Sequence, residues 1–312
     1  MPGFAREQGW KGEQNLNEND MKRDTNRREF IARSSLAGAG TILGMKVFSS
    51  DAIRSNADEK AIPIRPRYYR WHVDQGVEWN EANTRHNQLS WQIPVSLTAL
   101  VLVDVWQRHY IKDPEERAEA IINTKLIPLL TALRKSGIKI IHAPSPEVAV
   151  TSPNWVRFQT KEQVFSKHDS WPPAEFLSST GEYKSFAMPY EPMEEVRQKM
   201  APLTFHPKVV PLDGEPVVAN GIELHEYLKR NKLLFLLYAG FNTNACIINR
   251  DYGTIRMRDR GYRIILVRDC TTGMESKETQ ATLAQTKSTI LNLEMFGCFT
   301  VTSDELIKEI NS

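Results

Sequence analysis

The stretch LLFLLYAGFNTNAC, residues 233–246, carries the strongest indication of the fold. Residues 233–240 form a continuous apolar run, which is typical of a strand buried on both faces of a parallel sheet. Three more runs of this kind occur along the chain, SLTALVLVD at 96–104, GIKIIHAP at 137–144 and YRIILVRD at 262–269. We therefore expect at least four buried strands, and a shorter final strand at GCFTVT.

Helices are predicted between these strands. Residues 114–136 begin with a proline, keep apolar side chains at helical spacing and end before Gly137, which is a typical helix terminator. Helical stretches also follow the runs at 233–240 and 262–269. This alternation predicts a Rossmann-like, three-layer α/β/α fold with a mostly parallel sheet of five or six strands.

The composition excludes several classes of partner and site. The chain has 312 residues, and its 40 basic and 38 acidic residues give a net charge of only +2. So small a charge does not concentrate nucleic acid or anionic membranes, and we expect neither as a partner. The three cysteines include no CxxC pair, so neither a disulfide framework nor a zinc site is expected. Cys270 and Cys298 are predicted to be structural.

Residues 1–57 are predicted to be a polar tail followed by a signal peptide. The sequence NRREF at 26–30 precedes a mildly apolar stretch rich in Gly, Ser and Ala, as in twin-arginine export signals. That stretch is too short and too poor in large apolar residues to span a bilayer stably. Cleavage is expected after Ala52 or Ala57, and Met21 is a more usual start for such a signal. We therefore expect a periplasmic protein without membrane contact after cleavage.

The rest of the chain divides into an arm and a domain. Residues 58–93 are aromatic and polar without a clear period, which predicts an extended arm laid over a domain at 94–312. Within that domain, residues 144–203 are rich in Pro and Trp and show no strong period. Insertions of this length in compact domains are usually functional, so we expect a lid or a wall of the substrate pocket.

Three polar residues fall near the carboxyl ends of predicted strands, where open parallel sheets bind their ligands. Asp104 ends the first run, Lys208 lies in TFHPKVVPL, and Cys246 opens a predicted helix. A helix N-terminus and a nearby lysine both lower the pKa of a thiol. The set predicts nucleophilic catalysis by Cys246, with Asp104 moving the proton. Each residue alone has a structural interpretation, as a helix cap, a surface charge or a core thiol.

The motifs ALVLVD, a lysine, GFNTNACI and GYRIILVRDC resemble, in order and spacing, the isochorismatase-like cysteine hydrolases. That family includes nicotinamidases and N-carbamoylsarcosine amidases, and the resemblance covers about residues 95–302. It implies a catalytic triad of Asp104, Lys208 and Cys246. It also implies hydrolysis of an amide-like C–N bond in a small molecule through an acyl-enzyme, without a cofactor.

The resemblance further implies an oxyanion hole and an assembly. A cis peptide bond is expected between Phe241 and Asn242, which exposes the backbone N–H groups of Asn242 and Cys246 to a carbonyl oxygen. Relatives in this family commonly assemble as dimers or tetramers, so a homo-oligomer is also expected.

The sequence departs from the family directly after Asp104. The family often reads D-x-Q-N-D-F there, whereas this chain reads DVWQRHY, with Trp106 in place of Gln or of a metal-binding His. A nicotinamidase-type metal site is therefore not expected, although His109 and His142 remain an alternative pair of ligands. The residues predicted to bind the substrate are Trp106, His109, Tyr110, Phe241 and Asn244.

Two other function classes remain as alternatives. A binding protein could use the same fold with an idle thiol and with the insertion as its interaction surface. An NAD(P)-dependent oxidoreductase is disfavoured because no glycine-rich loop follows the first strand of the domain.

Overall fold

The structure is a computed structural model that describes residues 60–166, 171–200 and 203–312. The predicted export signal and its cleavage sites lie outside these residues. In the described part of the chain, no helix is both long and apolar enough to cross a membrane.

The described strands form one large sheet and one small one. In chain order they are Ala61–Ile64 (β1), Arg67–Arg70 (β2), Arg85–Gln88 (β3), Trp91–Pro94 (β4), Thr98–Val103 (β5), Lys139–Ala143 (β6), Phe235–Phe241 (β7), Arg263–Thr272 (β8) and Phe299–Val301 (β9). The large sheet has the order β3-β2-β9-β8-β7-β5-β6. Its strands from β9 to β6 are parallel, and β2 and β3 are antiparallel. The predicted mostly parallel α/β sheet is confirmed.

The predicted arm contains four short strands. Its strands β1 and β4 pair antiparallel as a separate two-stranded sheet, while β2 and β3 extend the edge of the large sheet. The sheet therefore has seven strands instead of five or six. Each arm strand is only four residues long, and the apolar alternation of so short a strand is difficult to detect in a sequence.

The described helices cover both faces of the sheet. They are Lys112–Ile121 (α1), Ile127–Ser136 (α2), Pro146–Ala149 (α3), Lys161–Phe165 (α4), Ala174–Leu177 (α5), Pro192–Lys199 (α6), Gly221–Arg230 (α7), Cys246–Asn249 (α8), Thr254–Asp259 (α9), Ala284–Met295 (α10) and Ser303–Asn311 (α11). A π-helical turn at Ile122–Leu126 joins α1 to α2, and α2 ends at Gly137 with φ of 90°. The predicted helix at 114–136 is confirmed with this interruption.

The core consists of two apolar layers, one on each face of the sheet. Alternate residues of β5 point to opposite faces, so Leu100 belongs to one layer and Val101 to the other. The first layer includes Leu129 of α2, and the second includes Leu224 of α7. Sheet and flanking helices thus form the predicted three layers. Cys270 and Cys298 are both fully buried free thiols within these layers.

The insertion at 144–203 leads back to the carboxyl end of the sheet. Directly after it, Phe205 pairs antiparallel with Trp106, and the His206 N–H donates to the Val105 carbonyl. This pairing places the end of the insertion over the residues that follow β5. The insertion itself is largely exposed and carries many exposed apolar side chains, among them Trp171, Phe186, Met188, Tyr190 and Met193.

Candidate active site

Asp104 follows the last residue of β5 and is almost fully buried. Its backbone is left-handed, with φ of 45°, a conformation that Asp tolerates better than most residues. The Asp104 N–H donates to the carbonyl of Ala143, at the end of the neighbouring β6. Its carboxylate accepts a hydrogen bond from Ser145 Oγ at 3.0 Å on Oδ1. The carboxylate is thus fixed at the carboxyl end of the central strands.

The chain reverses sharply between β7 and Cys246. The peptide bond between Phe241 and Asn242 is cis, as predicted. The Ala245 N–H then donates to the Asn242 carbonyl, and Cys246 begins the single-turn helix α8. This geometry brings the thiol to the side chain of Asp104 and to the backbone of Asn242, both of which hydrogen-bond to it.

The predicted lowering of the Cys246 pKa is wrong. Burial raises the pKa of this thiol, and the charge and the hydrogen bond of Asp104 raise it further, to about 12. Arg250 and the Asn242 backbone act in the opposite direction but are weaker. The helix predicted to open at Cys246 has only four residues and is followed by α9 at Thr254–Asp259, so little helix dipole acts on the thiol. The resting group is therefore a thiol.

Arg250 is the cation of this site, and the sequence analysis missed it. It follows Cys246 by four positions and lies at the end of α8, so both side chains are on one face of the helical turn. Its Nη2 donates to Ser145 Oγ at 2.6 Å and lies 3.4 Å from Asp104 Oδ2. The Cys-x-x-x-Arg spacing was the available signal. Because a helix was predicted to begin at the cysteine, this spacing already placed Arg250 on the face of the thiol.

Lys208 occupies a different position from the one that the triad prediction requires. Its Nζ donates to Asn123 Oδ1 at 2.6 Å, on the π-helical turn between α1 and α2. Its backbone N–H donates to His206 Nδ1, and the His206 Nε2 is 2.8 Å from Glu119. Within the described residues, the hydrogen bonds of Lys208 do not include Asp104 or Cys246. The structure therefore brings Asp104 and Cys246 together without Lys208.

The candidate oxyanion hole lies at the same reversal. In the described part of the chain, the backbone N–H groups of Asn242 and Cys246 donate to no carbonyl oxygen. The side-chain Oδ1 of Asn242 is buried and has no hydrogen-bond partner there either. The Asn242 backbone already hydrogen-bonds to Sγ of Cys246, so a ligand would share that group and would find the Asn242 Oδ1 without a partner.

Trp106 is the predicted substrate residue that reaches a pocket at this site. A small pocket, with a cavity volume of only about 10 Å³, lies next to Asp104 and Ser145, and its walls include Trp106, Val148 and Phe205. The walls therefore come from the segment after β5, the loop after β6 and both ends of the insertion.

The other predicted substrate residues have internal partners. Phe241 is fully buried and packs against Trp106, with ring centroids 5.3 Å apart. Both amide atoms of Asn244 bind the backbone of Met274. His109 is buried, stacks on Tyr110 and accepts from the Ile111 N–H.

Tyr110 is the last predicted substrate-binding residue, and His109 and His142 are the alternative metal ligands. Tyr110 is half exposed and lies under the guanidinium of Arg197, which belongs to the insertion. His142 Nε2 is 2.9 Å from Glu215, so His109 and His142 have separate partners. Across the described residues, no group of three or more His, Cys, Asp or Glu side chains is arranged to hold a metal ion.

The sequence was compared with protein-family models and with curated proteins. A family model described as Isochorismatase domain matches residues 98–295, more than half of the chain. No curated protein matches the sequence.

Three of the similar solved structures are the following. A cysteine hydrolase from Pseudomonas syringae pv. phaseolicola 1448A is 16% identical with a TM-score of 0.46, covering 71% of this chain and 95% of that chain. An isochorismatase from Pseudomonas putida KT2440 is 20% identical with a TM-score of 0.41, covering 68% and 91%. An N-carbamoylsarcosine amidase from Thermoplasma acidophilum is 15% identical with a TM-score of 0.38, covering 66% and 96%.

Proposed function

The chain belongs to the isochorismatase domain family, and from this premise we propose that it is a cysteine-dependent hydrolase of a C–N bond in a small, amide-like molecule. The observation that carries the proposal is the contact between Cys246 and Asp104. A thiol beside a fixed carboxylate and the backbone N–H groups of a sharp turn is the arrangement that acyl transfer needs.

The first half of the reaction forms an acyl-enzyme. Sγ of Cys246 attacks the carbonyl carbon while its proton moves to Asp104, which serves as the general base. The negative charge that develops on the carbonyl oxygen is held by the N–H groups of Asn242 and Cys246, each typically worth about 3–4 kcal/mol in the transition state. The intermediate then breaks its C–N bond, and Asp104 returns the proton to the leaving nitrogen.

The second half releases the acid. Water attacks the thioester carbonyl, and Asp104 again accepts a proton. The tetrahedral intermediate expels Sγ, which takes the proton back as the carboxylic acid leaves. A resting thiol with a raised pKa is compatible with this sequence because the proton leaves during the attack, when Asp104 is in hydrogen-bonding contact.

The test is a screen of small primary amides, N-substituted amides and N-carbamoyl compounds, with released ammonia or amine as the readout. The wild-type protein is compared with Cys246→Ala and Asp104→Asn, and both variants should lose at least 1,000-fold in kcat/KM, on the order expected for loss of a nucleophile or its base. Cys298→Ala, which removes a buried thiol elsewhere in the core, is the matched control and should retain activity.

Mass spectrometry supplies a second readout. A wild-type sample quenched during turnover should carry the acyl group on Cys246. Turnover that survives Cys246→Ala would contradict the proposal. Saturable binding of the same compounds without turnover in the wild type would instead favour a binding protein on this fold.

A further inference from the structure

The guanidinium of Arg250 lies beside Asp104 and Cys246. We propose that Arg250, and not Lys208, is the charged partner of the proposed reaction, positioning Asp104 and stabilising the negative charge that develops on Cys246. The inference rests on the proposed function and assigns a residue to it.

Helix α8 and Ser145 together fix the Arg250 guanidinium. Since α8 is a single turn that starts at Cys246, Arg250 leaves the helix on the side of the thiol. Ser145 Oγ accepts from Arg250 Nη2 and donates to Asp104 Oδ1, so it links the two charged groups. The same Nη2 lies 3.4 Å from Asp104 Oδ2. Both carboxylate oxygens are therefore held by donors, as a base with a fixed orientation requires.

The charges around Arg250 favour its ionised form. Burial acts to lower its pKa, but the nearby Tyr252, Asp104 and Cys246 outweigh burial and raise it. A guanidinium does not give up its proton in proteins, so Arg250 acts as a fixed positive charge and leaves proton transfer to Asp104. This division of roles agrees with the direct contact between Asp104 and the thiol.

One part of the guanidinium is unused. Arg250 Nε is buried and has no hydrogen-bond partner among the described residues. Lys208, by contrast, is bound to Asn123 on the π-helical turn, and Asn123 in turn donates to Glu119. Lys208 already has a structural partner, whereas Arg250 has a donor left to use during the reaction.

A structural role for Arg250 would predict only a loss of stability on its removal. A charge partner predicts in addition that the pKa of Cys246 rises when the positive charge is lost, because Arg250 lowers that pKa in the intact site. The thiol pKa therefore separates the two roles, and its measurement does not require a substrate.

The experiment measures iodoacetamide alkylation of Cys246 from pH 8 to pH 10.5 in the full-length protein, with mass spectrometry to identify the modified thiol. Arg250→Met, Arg250→Lys and Lys208→Met are compared with the wild type. Arg256→Met, which removes an exposed arginine on α9, is the matched control. Thermal melting of each variant identifies any that fail to fold.

Arg250→Met should slow alkylation at pH 9 by about tenfold, which corresponds to a rise of one unit in the thiol pKa. Arg250→Lys should recover most of that loss, while Lys208→Met and Arg256→Met should remain within twofold of the wild type. With an active amide, Arg250→Met should lower kcat by about 100-fold or more and leave KM within a few-fold.

Equal alkylation profiles for folded Arg250→Met and wild type would overturn the proposal, as would slower alkylation in Lys208→Met alone. If Arg250→Met does not fold, Arg250→Lys replaces it. An alkylation profile of Arg250→Lys that is shifted further than that of Lys208→Met supports the assignment. An unshifted alkylation profile of Arg250→Lys, with unchanged kcat, contradicts it. Survival of turnover in Cys246→Ala refutes the hydrolase mechanism independently, since the alkylation result depends only on the thiol and its neighbours.

Discussion

Gly240 lies so close to Val103 that a β-carbon at position 240 would be 1.9 Å from the Val103 carbonyl oxygen. Gly240 belongs to β7 and Val103 is the last residue of β5, directly before Asp104. The backbone at Gly240 also has φ of 121°, which is unfavourable for residues with a side chain. The close approach of these two strands therefore sets the distance between Asp104 and the reversal that leads to Cys246.

We expect Gly240→Ala to be among the most destabilising single substitutions in the chain. The new methyl group would displace the backbone of β5, and the expected loss in the free energy of unfolding is about 4 kcal/mol or more. Gly137→Ala is the matched control, because φ is 90° there but the nearest atom to an added β-carbon, on Val95, is 3.9 Å away. It should lose only about 1–2 kcal/mol. Urea unfolding followed by circular dichroism measures both, and similar losses would show that the close approach is unimportant.

The parallel core could be predicted from the sequence because each buried strand is a continuous apolar run. The run at 96–104 predicted β5, and the run at 233–240 predicted β7, within about two residues at each end. The arm at 58–93 could not be predicted in the same way. Its strand β2 depends on pairing with β3, which the sequence did not predict, and with β9, which is distant along the chain.

The site could be predicted only where a residue's place follows from the strand it ends. Asp104 and Cys246 were predicted to lie together because both come near the carboxyl ends of parallel strands. The structure shows that β5 and β7 are adjacent, and the two side chains meet. Lys208 lies in an irregular segment, so its position along the chain did not reveal that its side chain reaches Asn123. Arg250 could have been placed by helical spacing, because it follows by four positions the cysteine at which a helix was predicted to begin.

Asp104→Asn should make Cys246 more reactive toward iodoacetamide, although it should abolish turnover. The negative carboxylate raises the pKa of the thiol, so its replacement by a neutral amide lowers that pKa and increases the thiolate fraction at a fixed pH. We expect alkylation at pH 9 to be about tenfold faster than in the wild type, as for a fall of one pKa unit. Asp113→Asn, at an exposed position on α1, should not change the rate. A slower rate in Asp104→Asn would mean that the carboxylate activates the thiol in the resting protein.

Arg67→Met should destabilise the protein more than the double substitution Arg67→Met with Glu294→Gln. Glu294 of α10 is buried, and its carboxylate accepts from Arg67 at 2.8 Å and contacts His86 at 2.9 Å. Removal of the arginine leaves a buried charge with weaker compensation, which costs about 3 kcal/mol, whereas the neutral amide of the double variant avoids most of that penalty. A double-mutant cycle by urea unfolding measures the coupling, and additive losses would contradict the role of this ion pair in attaching the arm.

Glu215→Gln should remove part of the acid sensitivity of the fold. Burial acts to raise the pKa of Glu215, but hydrogen bonds from His142, Arg134 and the Leu212 N–H outweigh it and lower the pKa to about 2. A lowered carboxyl pKa stabilises the fold above pH 4.5, the ordinary value, and this stabilisation is lost as the pH falls from about 4.5 towards 2. Allowing for solvent screening, the contribution is about 1–2 kcal/mol.

The wild type should therefore lose this increment between pH 5 and pH 2.5, and Glu215→Gln should be less stable at pH 5 but lose less over the same range. Burial lowers the pKa of His142 and Glu215 acts to raise it, so the acid-induced loss from His142 is larger in Glu215→Gln and the measured difference is a lower bound. Glu182→Gln, at an exposed position in the insertion, should follow the wild type at every pH. Urea midpoints at half-unit steps of pH give the comparison, and parallel curves for wild type and Glu215→Gln would show that the carboxyl pKa of Glu215 is not lowered by folding.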